Sequence, residues 1–251
     1  MSLLKVGNIS KSFKTLQVLQ NVSVEVQPGE RHVIIGPNGA GKTTLFNCIT
    51  NVLSIDSGTV YLEGQEISHL PSRKLVHLGM SRTFQKNNLF GNLTVEENLH
   101  LALTSTKSYR YQIFNALLKH EDLKKDTDEV LEQWGISSRR NVKVNFLSYG
   151  EQRLLEVLLA MAAKPKLLLL DEPTSGMSPA ETIQTAEMIK KLPRSVSILI
   201  IEHDMEVVFS IADKITVLHH GEVILSGTPE EVRNNEQVRQ IYFGGGAKAH
   251  A

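Results

Sequence analysis

Apolar and polar residues alternate over two segments near the start of the chain. Residues 22–26 alternate strictly and end at the turn dipeptide Pro28-Gly29, and residues 59–63 alternate again after a second turn. A period of two is typical of strands with one solvated face. The strand-like character of residues 3–30 therefore predicts an antiparallel β layer.

A different pattern indicates buried strands. Residues 31–35 have the pattern of a short buried strand, and residues 167–170 and 196–201 are apolar runs, interrupted only by Ser197. Parallel strands that are covered on both faces have this character, and each of the two later runs is followed by a predicted helix. Residues 215–217 and 222–225 enclose Gly221 and predict a hairpin.

The middle of the chain is helical in character, from about residue 90 to residue 164. Thr94 and Glu97 have the spacing of a capping box, and residues 119–134 form a charged amphipathic stretch that Gly135 stops. A last helix is predicted after Thr228, with proline at its first position.

This order of elements predicts a single domain over residues 1–251. An α/β core comprises residues 1–88 and 165–243, and residues 89–164 form a helical subdomain inserted into it. Residues 244–251 have little to bury and are predicted to be a disordered tail.

Composition narrows the classes of partner. The chain has 27 Lys and Arg against 27 Asp and Glu, so nothing indicates a general attraction to nucleic acid or anionic lipid. The single Cys48 predicts a buried thiol in a reducing compartment. Without a signal-peptide pattern or an apolar run of 18 residues, the chain is expected to be soluble by itself.

A glycine-rich loop joins the strand of residues 31–35 to a helix-competent run of residues 42–50. It matches G-x-x-x-x-G-K-[ST] without mismatch, in the strand-loop-helix context of a phosphate-binding loop. The loop consists of Gly36, Pro37, Asn38, Gly39, Ala40, Gly41, Lys42, Thr43 and Thr44. This motif predicts a triphosphate as ligand.

The residue types of the loop suit that ligand. Its glycines let successive backbone N–H groups point inward, and the following helix begins with a positive dipole. Lys42 is placed to bring its charge to the β- and γ-phosphates as a binding and catalytic residue, and the Thr43 hydroxyl is placed to ligate Mg²⁺. A glycine-rich turn with an exposed lysine is the structural alternative.

Two adjacent carboxylates end the apolar run of residues 167–170. Adjacent residues at a strand end point to different sides, so Asp171 and Glu172 can do different work. Asp171 suits a Mg²⁺ shell, and Glu172 suits orientation or deprotonation of an attacking water as a catalytic residue. A solvated acidic turn is the alternative.

Further motifs follow in a fixed order, and with the phosphate loop they resemble the motifs of ABC ATPases. They are Gln85 in residues 81–85, residues 147–152, residues 170–173 and His203 in residues 201–204. The resemblance covers nearly the whole chain. It implies an α/β P-loop NTPase core with a mixed or parallel sheet, an N-terminal antiparallel β layer and a helical insertion. It also implies binding and hydrolysis of ATP with Mg²⁺.

The resemblance gives roles to three further residues. Phe13, in an early loop, resembles the aromatic that stacks on adenine, with a core phenylalanine as the alternative. Gln85 resembles the glutamine that reaches the metal and the water and reports to a transmembrane partner. His203 resembles the switch histidine at the γ-phosphate, which makes it a catalytic residue, although a lone histidine is more often structural.

In ABC ATPases the segment that matches Ser148, Gly150, Glu151 and Gln152 completes the ATP site of the opposite subunit. Ser148 and Glu151 also form a capping box that would begin a helix in any case. Glu151 departs from the usual Gly-Gly-Gln, which leaves the contact on the ribose side open. Ser178 stands where the family usually carries aspartate; its own capping box explains it, so it is not predicted to be catalytic.

Within the family, several segments look like ATPases of branched-chain amino-acid importers: residues 81–85, 89–90, 93–98, 147–156 and 227–232. Leu159 departs from their usual arginine, and residues 106–127 form a shorter insertion than is common there. The resemblance implies a transmembrane permease, a second ATPase subunit and, indirectly, a solute-binding protein as partners. It also implies a peripheral position at the cytoplasmic face of the cell membrane.

Several alternatives stay open. Related branches import amides, urea or aromatic acids, and a lipopolysaccharide exporter is similar as well. A translation or DNA-repair ABC ATPase would need tandem domains or a long heptad insertion. A small-molecule kinase would share the phosphate loop but would leave residues 148–152 without a role. The sequence leaves both the solute and the choice between homodimer and heterodimer undecided.

Overall fold

Two β-sheets, one small and antiparallel and one large and mostly parallel, organise the chain. The computed structural model describes residues 1–83, 89–105 and 121–243. The strands are β1 (Leu4–Phe13), β2 (Leu16–Val26), β3 (Arg31–Ile35), β4 (Ser57–Leu62), β5 (Gln65–Glu66), β6 (Met80–Arg82), β7 (Leu167–Asp171), β8 (Ser197–Ile201), β9 (Lys214–His219) and β10 (Glu222–Gly227). The helices are α1 (Lys42–Ile49), α2 (Ser72–His77), α3 (Val95–Ser105), α4 (Glu121–Gln133), α5 (Tyr149–Ala162), α6 (Pro179–Lys191), α7 (Met205–Ile211), α8 (Pro229–Asn234) and α9 (Glu236–Phe243).

The small sheet has the strand order β2-β1-β4-β5, and all its pairs are antiparallel. Leu4 lies opposite Val26 on one side and Leu62 on the other. All three side chains are buried, because alternate residues of these strands face the interior. The predicted antiparallel layer is confirmed.

The large sheet has the order β10-β9-β3-β8-β7-β6. Five of its strands run parallel to one another: β9, β3, β8, β7 and β6. Strand β10 returns antiparallel to β9 and forms the predicted hairpin. The apolar runs form fully buried strands, as expected of a parallel sheet that is covered on both faces. The carboxyl ends of β3, β7 and β8 therefore share one edge.

The first core fills the space between the two sheets. Ile34, Leu169 and Ile201 from the large sheet are fully buried there, together with Leu45 and Phe46 of α1. Helix α1 is thus held between the sheets on its apolar side. This packing fixes the loop that precedes the helix.

The opposite face of the large sheet forms a second core with helices α5, α6 and α7. Val33, Leu168 and Ile200 face this side, one position along each strand from the residues of the first core. Val157 of α5 and Ile189 of α6 pack against them.

Helices α3, α4 and α5 share a separate apolar cluster. Its buried members include Leu99 of α3, Leu131 of α4 and Leu155 of α5. The predicted capping box is present at the start of α3, where Thr94 N–H donates to Glu97 Oε2 at 2.7 Å and Glu97 N–H donates to Thr94 Oγ1 at 3.2 Å. Of the predicted stretch of residues 119–134, residues 119 and 120 lie outside the described residues.

The end of the chain differs from the single last helix that the sequence predicts. Helix α8 begins after Thr228, as predicted, with a capping box between Thr228 and Glu231, but it ends at Asn234. Helix α9 then begins at Glu236, and the side chain of Asn235 accepts a hydrogen bond from Val238 N–H at 3.0 Å. An asparagine that caps a new helix in this way interrupts the first one.

None of the helices in the described part of the chain combines the length and the apolar character that a membrane crossing needs.

Candidate active site

Three loops with polar residues meet at the carboxyl edge of the large sheet. Gly36 follows β3, Asp171 ends β7, and Glu202 and His203 follow β8. Register holds these ends level, since Ile34 pairs with Ile201 and Ile201 pairs with Asp171. Ligands of open α/β sheets bind at this edge.

The phosphate loop packs closely on the β9-β10 hairpin. An added Cβ at Gly36 would lie 2.2 Å from the backbone oxygen of Leu218, so only glycine fits there. Gly221 N–H donates to Ala40 O at 3.1 Å and ties the loop to the hairpin turn. Asn38 and Gly39 form the exposed crest of the loop. The base of the loop is therefore closely packed, and its crest is exposed.

Lys42 folds back over the loop that precedes it. Its Nζ donates to Gly36 O at 2.5 Å and to Pro37 O at 3.1 Å. Burial lowers the pKa of Lys42, and the nearby carboxylates of Glu172 and Asp171 offset part of that effect. The structure thus brings together the lysine and both carboxylates that the sequence selects.

Helix α1 begins immediately after the loop. Gly41 is its N-cap, with a φ of 102°, and Leu45 N–H donates to Gly41 O at 2.8 Å. Thr43 is exposed and Thr44 is half-buried in the first turn. The positive end of the helix dipole therefore lies at the loop.

Asp171 is held by an arginine that the sequence analysis does not select. Its Oδ2 accepts from Arg82 Nη2 at 2.9 Å, and both side chains are buried. The buried Oδ1 has no hydrogen-bond partner among the described residues. Arg82 lies in the motif of residues 81–85, for which the resemblance gives a role only to Gln85.

Glu172 leaves the strand by a backbone change that the sequence does not reveal. Its φ is 48°, in the left-handed region that non-glycine residues seldom adopt. Its N–H donates to Ile201 O at 2.9 Å, which ties it to β8. Glu172 therefore departs from the extended backbone of the strand that ends at Asp171. Such strain is concentrated at functional sites.

His203 lies beside a buried carboxylate that the sequence analysis overlooks. Its side chain is 56% exposed, and its Nδ1 lies 3.5 Å from Glu202 Oε2. The same Oε2 accepts from His203 N–H at 2.8 Å, while Glu202 Oε1 accepts from Thr174 N–H at 3.2 Å and from the Thr174 hydroxyl. The sequence signal that could have indicated Glu202 is its position directly after an apolar strand run.

Of two further residues predicted from the sequence, the structure describes Phe13 but not Gln85. Phe13 is the last residue of β1 rather than part of a loop, and it is 44% exposed. This exposure excludes the alternative of a core phenylalanine. Gln85 lies outside the described residues.

The segment around Ser148 begins helix α5 with the predicted capping box. Glu151 N–H donates to Ser148 Oγ at 3.2 Å, and Ser148 N–H donates to Glu151 Oε2 at 2.8 Å. Arg139 Nε donates to Glu151 Oε1 at 2.6 Å, so both oxygens of this carboxylate are engaged. Gln152 Nε2 donates to Leu147 O at 3.2 Å. Glu151 therefore contributes to the N-terminal cap of α5.

Ser178 repeats this arrangement at the start of α6. Glu181 N–H donates to Ser178 Oγ at 3.4 Å, and Ser178 N–H donates to Glu181 Oε2 at 3.0 Å. Glu181 Oε1 also accepts from Gly150 N–H at 3.2 Å. The starts of α5 and α6 are therefore joined through one carboxylate.

Comparison with known proteins identifies the arrangement. A sequence model of the family described as ABC transporter matches residues 19–175, more than half of the chain. The chain belongs to the ABC transporter family. It is an ATP-binding ATPase of that family, as the sequence predicts. A second model, described as Branched-chain amino acid ATP-binding cassette transporter, matches residues 222–248.

Two relatives align along almost their whole length. The chain is 38% identical to LivG of Escherichia coli K12, a high-affinity branched-chain amino acid transport ATP-binding protein, over 96% of this chain and 98% of LivG. It is 34% identical to LptB of Haemophilus influenzae, a lipopolysaccharide export system ATP-binding protein, over 97% of this chain and 98% of LptB.

Solved ABC cassettes share the fold. The ADP conformation of MJ1267, an ATP-binding cassette of an ABC transporter, superposes with a TM-score of 0.86 and 32% identity over 97% of this chain and 99% of MJ1267. The ATP-binding cassette MJ0796, a dimeric post-hydrolysis state bound to ADP and Pi, gives a TM-score of 0.76 and 26% identity over 90% and 98%. The predicted P-loop ABC fold is confirmed.

Proposed function

We propose that this ABC ATPase is the nucleotide-binding subunit of an importer of branched-chain amino acids or related small solutes. The observation that carries the proposal is the likeness to LivG over 96% of the chain, joined to the match of residues 222–248 to the branched-chain family. ATP-driven closure of two such subunits would be coupled to a membrane permease. The chain would then lie at the cytoplasmic face of the membrane, held there by the permease.

In this proposal the phosphate loop, Gly36 to Thr44, holds the triphosphate. Lys42 is the binding and catalytic cation, since its Nζ already lies over the loop and close to both carboxylates. Glu172 orients or deprotonates the attacking water, and His203 contacts the γ-phosphate. Phe13 stacks on the adenine ring, for which its exposed position is suitable.

The residues at the loop fit Mg²⁺. Within the described ranges no group of three or more His, Cys, Asp and Glu could hold a metal ion. Mg²⁺ does not need one, because it is usually bound by one or two carboxylates together with substrate phosphates. Asp171 offers Oδ1, which has no hydrogen-bond partner among the described residues, and Thr43 and Gln85 would supply further oxygens. The ion would neutralise charge on the β- and γ-phosphates.

A second subunit would complete each site. The hydrogen bonds of Ser148 and Gly150 go to Glu151 and Glu181, so this segment has its own local partners. We assign Ser148, Gly150 and Gln152 to the nucleotide of the opposite subunit, where a helix N-terminus suits phosphate. Glu151 contributes through the cap, since both its oxygens are engaged. The dimeric state of MJ0796 supports this arrangement.

Glu172→Gln tests the hydrolytic site. The variant should bind ATP as tightly as the unaltered chain, because the phosphate loop is unchanged, but it should lose hydrolysis by about 10² to 10⁴-fold. ATP should then trap a dimer that light scattering detects. The exposed Glu206→Gln, on helix α7, is the matched control and should hydrolyse normally. Unchanged turnover in Glu172→Gln would contradict the assignment.

The permease would be received by an apolar groove that Arg82 lines. The groove measures about 200 Å³ and lies between α1, α2, β6 and α5. Val52, Val76 and Leu159 line it, and Val52 and Val76 are well exposed for valines. Val76→Glu should uncouple ATP hydrolysis from transport with unchanged ATP affinity in EDTA, because it places a charge where an apolar helix would dock. A loss of ATP affinity in EDTA would count against this position.

The likeness to LptB favours a second candidate, the ATPase of a lipopolysaccharide-type exporter. The two candidates differ in their membrane subunits. Purification of the chain with its membrane partners, followed by leucine uptake in vesicles with a solute-binding protein, separates them. Leucine uptake that requires ATP supports the importer. Co-purified subunits without any solute uptake would support the exporter.

A further inference from the structure

Arg82 joins two parts of the molecule that the proposed function treats separately. Its side chain is 8% exposed. Nη1 donates to Asn47 Oδ1 at 2.7 Å and to Thr50 Oγ1 at 3.1 Å, and the guanidinium lies 5.6 Å from the ring centre of Phe46. Nη2 donates to Asp171 Oδ2 at 2.9 Å. One planar group therefore connects the last turns of α1 to the end of β7.

Asp171 is bound by Arg82 through one carboxylate oxygen. The carboxylate is 1% exposed, and Arg82 binds only its Oδ2. The other oxygen, Oδ1, is buried and has no hydrogen-bond partner in the part of the chain that the structure describes. A carboxylate pinned at one oxygen keeps the other in a fixed direction. Arg82 thus anchors one of the two oxygens of Asp171.

The same arginine lies in the wall of the groove. Arg82 and Thr50 both line it, together with Ser81 of β6 and Val76 of α2. Thr50 is also one of the two groups of α1 that hold the guanidinium. A side chain that enters the groove would therefore contact Arg82 or its anchor directly.

We propose that Arg82 is a positioning residue that couples occupation of the groove to the orientation of the Asp171 carboxylate. For its natural occupant, a helix of the permease, this inference rests on the proposed function. The link between the groove, Arg82 and Asp171 does not rest on the proposed function, because all its contacts lie within one chain. An occupant that displaces the guanidinium by a few tenths of an ångström must lengthen a buried hydrogen bond or move the carboxylate.

Arg82→Lys tests the link to Asp171. Lysine keeps the charge but lacks the planar guanidinium that contacts Asp171 and, at the same time, Asn47 and Thr50. The measurement is the affinity for a fluorescent ATP analogue, with Mg²⁺ and with EDTA. Affinity in EDTA should be unchanged, and the gain in affinity that Mg²⁺ produces should fall about tenfold. The exposed Arg73→Lys on α2 is the matched control and should retain the full gain. An unchanged gain in Arg82→Lys would overturn the proposal.

A second variant covers the case in which Arg82→Lys does not fold. Asn47→Ala removes one anchor and leaves the pair of Arg82 and Asp171 in place. It should lower the Mg²⁺-dependent gain by about threefold, since one charge-assisted hydrogen bond is lost. A gain equal to that of the unaltered chain would contradict the proposal.

Occupation of the groove can be imitated without a permease. Val76 is 52% exposed and lines the groove, whereas the native Cys48 is fully buried. A bulky maleimide on Val76→Cys should change the Mg²⁺-dependent gain by at least threefold, and the same label should have no effect when Arg82→Lys is also present. The control is the label on Lys74→Cys, on the exposed side of the same helix.

The outcomes separate this inference from the proposed function. If Arg82→Lys lowers the gain but the label on Val76→Cys leaves it unchanged, the groove is not coupled and the inference is wrong. If the label acts as expected but no permease co-purifies with the chain, the inference stands and the proposed transport function fails. The two failures are therefore distinguishable.

Discussion

The buried carboxylate of Glu202 accepts a hydrogen bond from the backbone N–H of Thr174 at 3.2 Å. Its other oxygen accepts from His203 N–H at 2.8 Å. One side chain after β8 therefore holds the loop that follows Glu172 and also the backbone of His203. Glu202 therefore ties together the two loops that flank the proposed γ-phosphate position.

Glu202→Gln should weaken both the fold and the reaction. An amide offers one acceptor oxygen and an NH₂ group that faces other donors, so at least one buried N–H loses its partner. We expect a loss of about 1–3 kcal/mol in the free energy of unfolding, measured by urea denaturation. The kcat should fall on the order of tenfold, while ATP affinity is kept.

The matched control is Glu206→Gln, which removes an exposed carboxylate four positions along the chain. It should change neither stability nor kcat. Equal effects of the two substitutions would show that the Glu202 contacts do not position the loops.

Ser148→Ala and Ser178→Ala form a second matched pair, because both serines cap a helix through the same capping box. Each substitution should cost about 0.5–2 kcal/mol of stability. Only Ser148→Ala should also weaken the ATP-trapped dimer of the Glu172→Gln chain, as light scattering would detect. A dimer that is equally weakened by both, or by neither, would contradict the assignment of Ser148 to the opposite site.

Gly36→Ala and Gly39→Ala separate steric conflict from backbone strain. A methyl group at Gly36 would meet the backbone oxygen of Leu218, which cannot move without breaking the hairpin. For Gly36→Ala we therefore expect a loss of about 3 kcal/mol in the free energy of unfolding. At Gly39 the added Cβ has no atom within 4 Å, and only the φ of 81° opposes it, at a cost of about 1 kcal/mol. Urea denaturation without nucleotide measures both, and a reversed order would refute the packing of this loop.

Cys48 should be unreactive in the folded chain. Burial raises the pKa of its thiol to about 11, so at pH 8 only about one thiol in a thousand is ionised. A thiol reagent should label the chain only after urea is added. Because the unfolded thiol ionises more readily, its contribution to stability should decrease as the pH rises above about 8.5. Rapid labelling of the native chain at pH 8 would contradict this burial.

Local patterns in the sequence were enough to predict most elements. The apolar runs of β7 and β8 predicted buried parallel strands, and the capping boxes at Thr94, Ser148 and Thr228 marked helix starts. These signals are reliable because periodicity and capping involve residues within one turn or one strand. The break between α8 and α9 was missed, since Asn235 can cap a helix or lie within one.

The candidate site likewise has parts that could be predicted from local sequence and parts that could not. The phosphate loop could be read from the sequence because all its residues are contiguous. The roles predicted for Phe13, Gln85 and the segment around Ser148 came from resemblance to a family, and they stay predictions. The ABC fold and ATPase activity that the same resemblance implied are confirmed.

The sequence by itself determined the chemical groups, the order of the elements and the nucleotide class. Only the tertiary structure decided how those groups are held. Arg82 and Asp171 are 89 positions apart and meet because β6 and β7 are neighbours in the sheet. The contact of Glu202 with Thr174 and the left-handed φ of Glu172 likewise depend on strand order and packing. Local patterns contain no information about such pairings, since each requires two distant segments to be placed side by side.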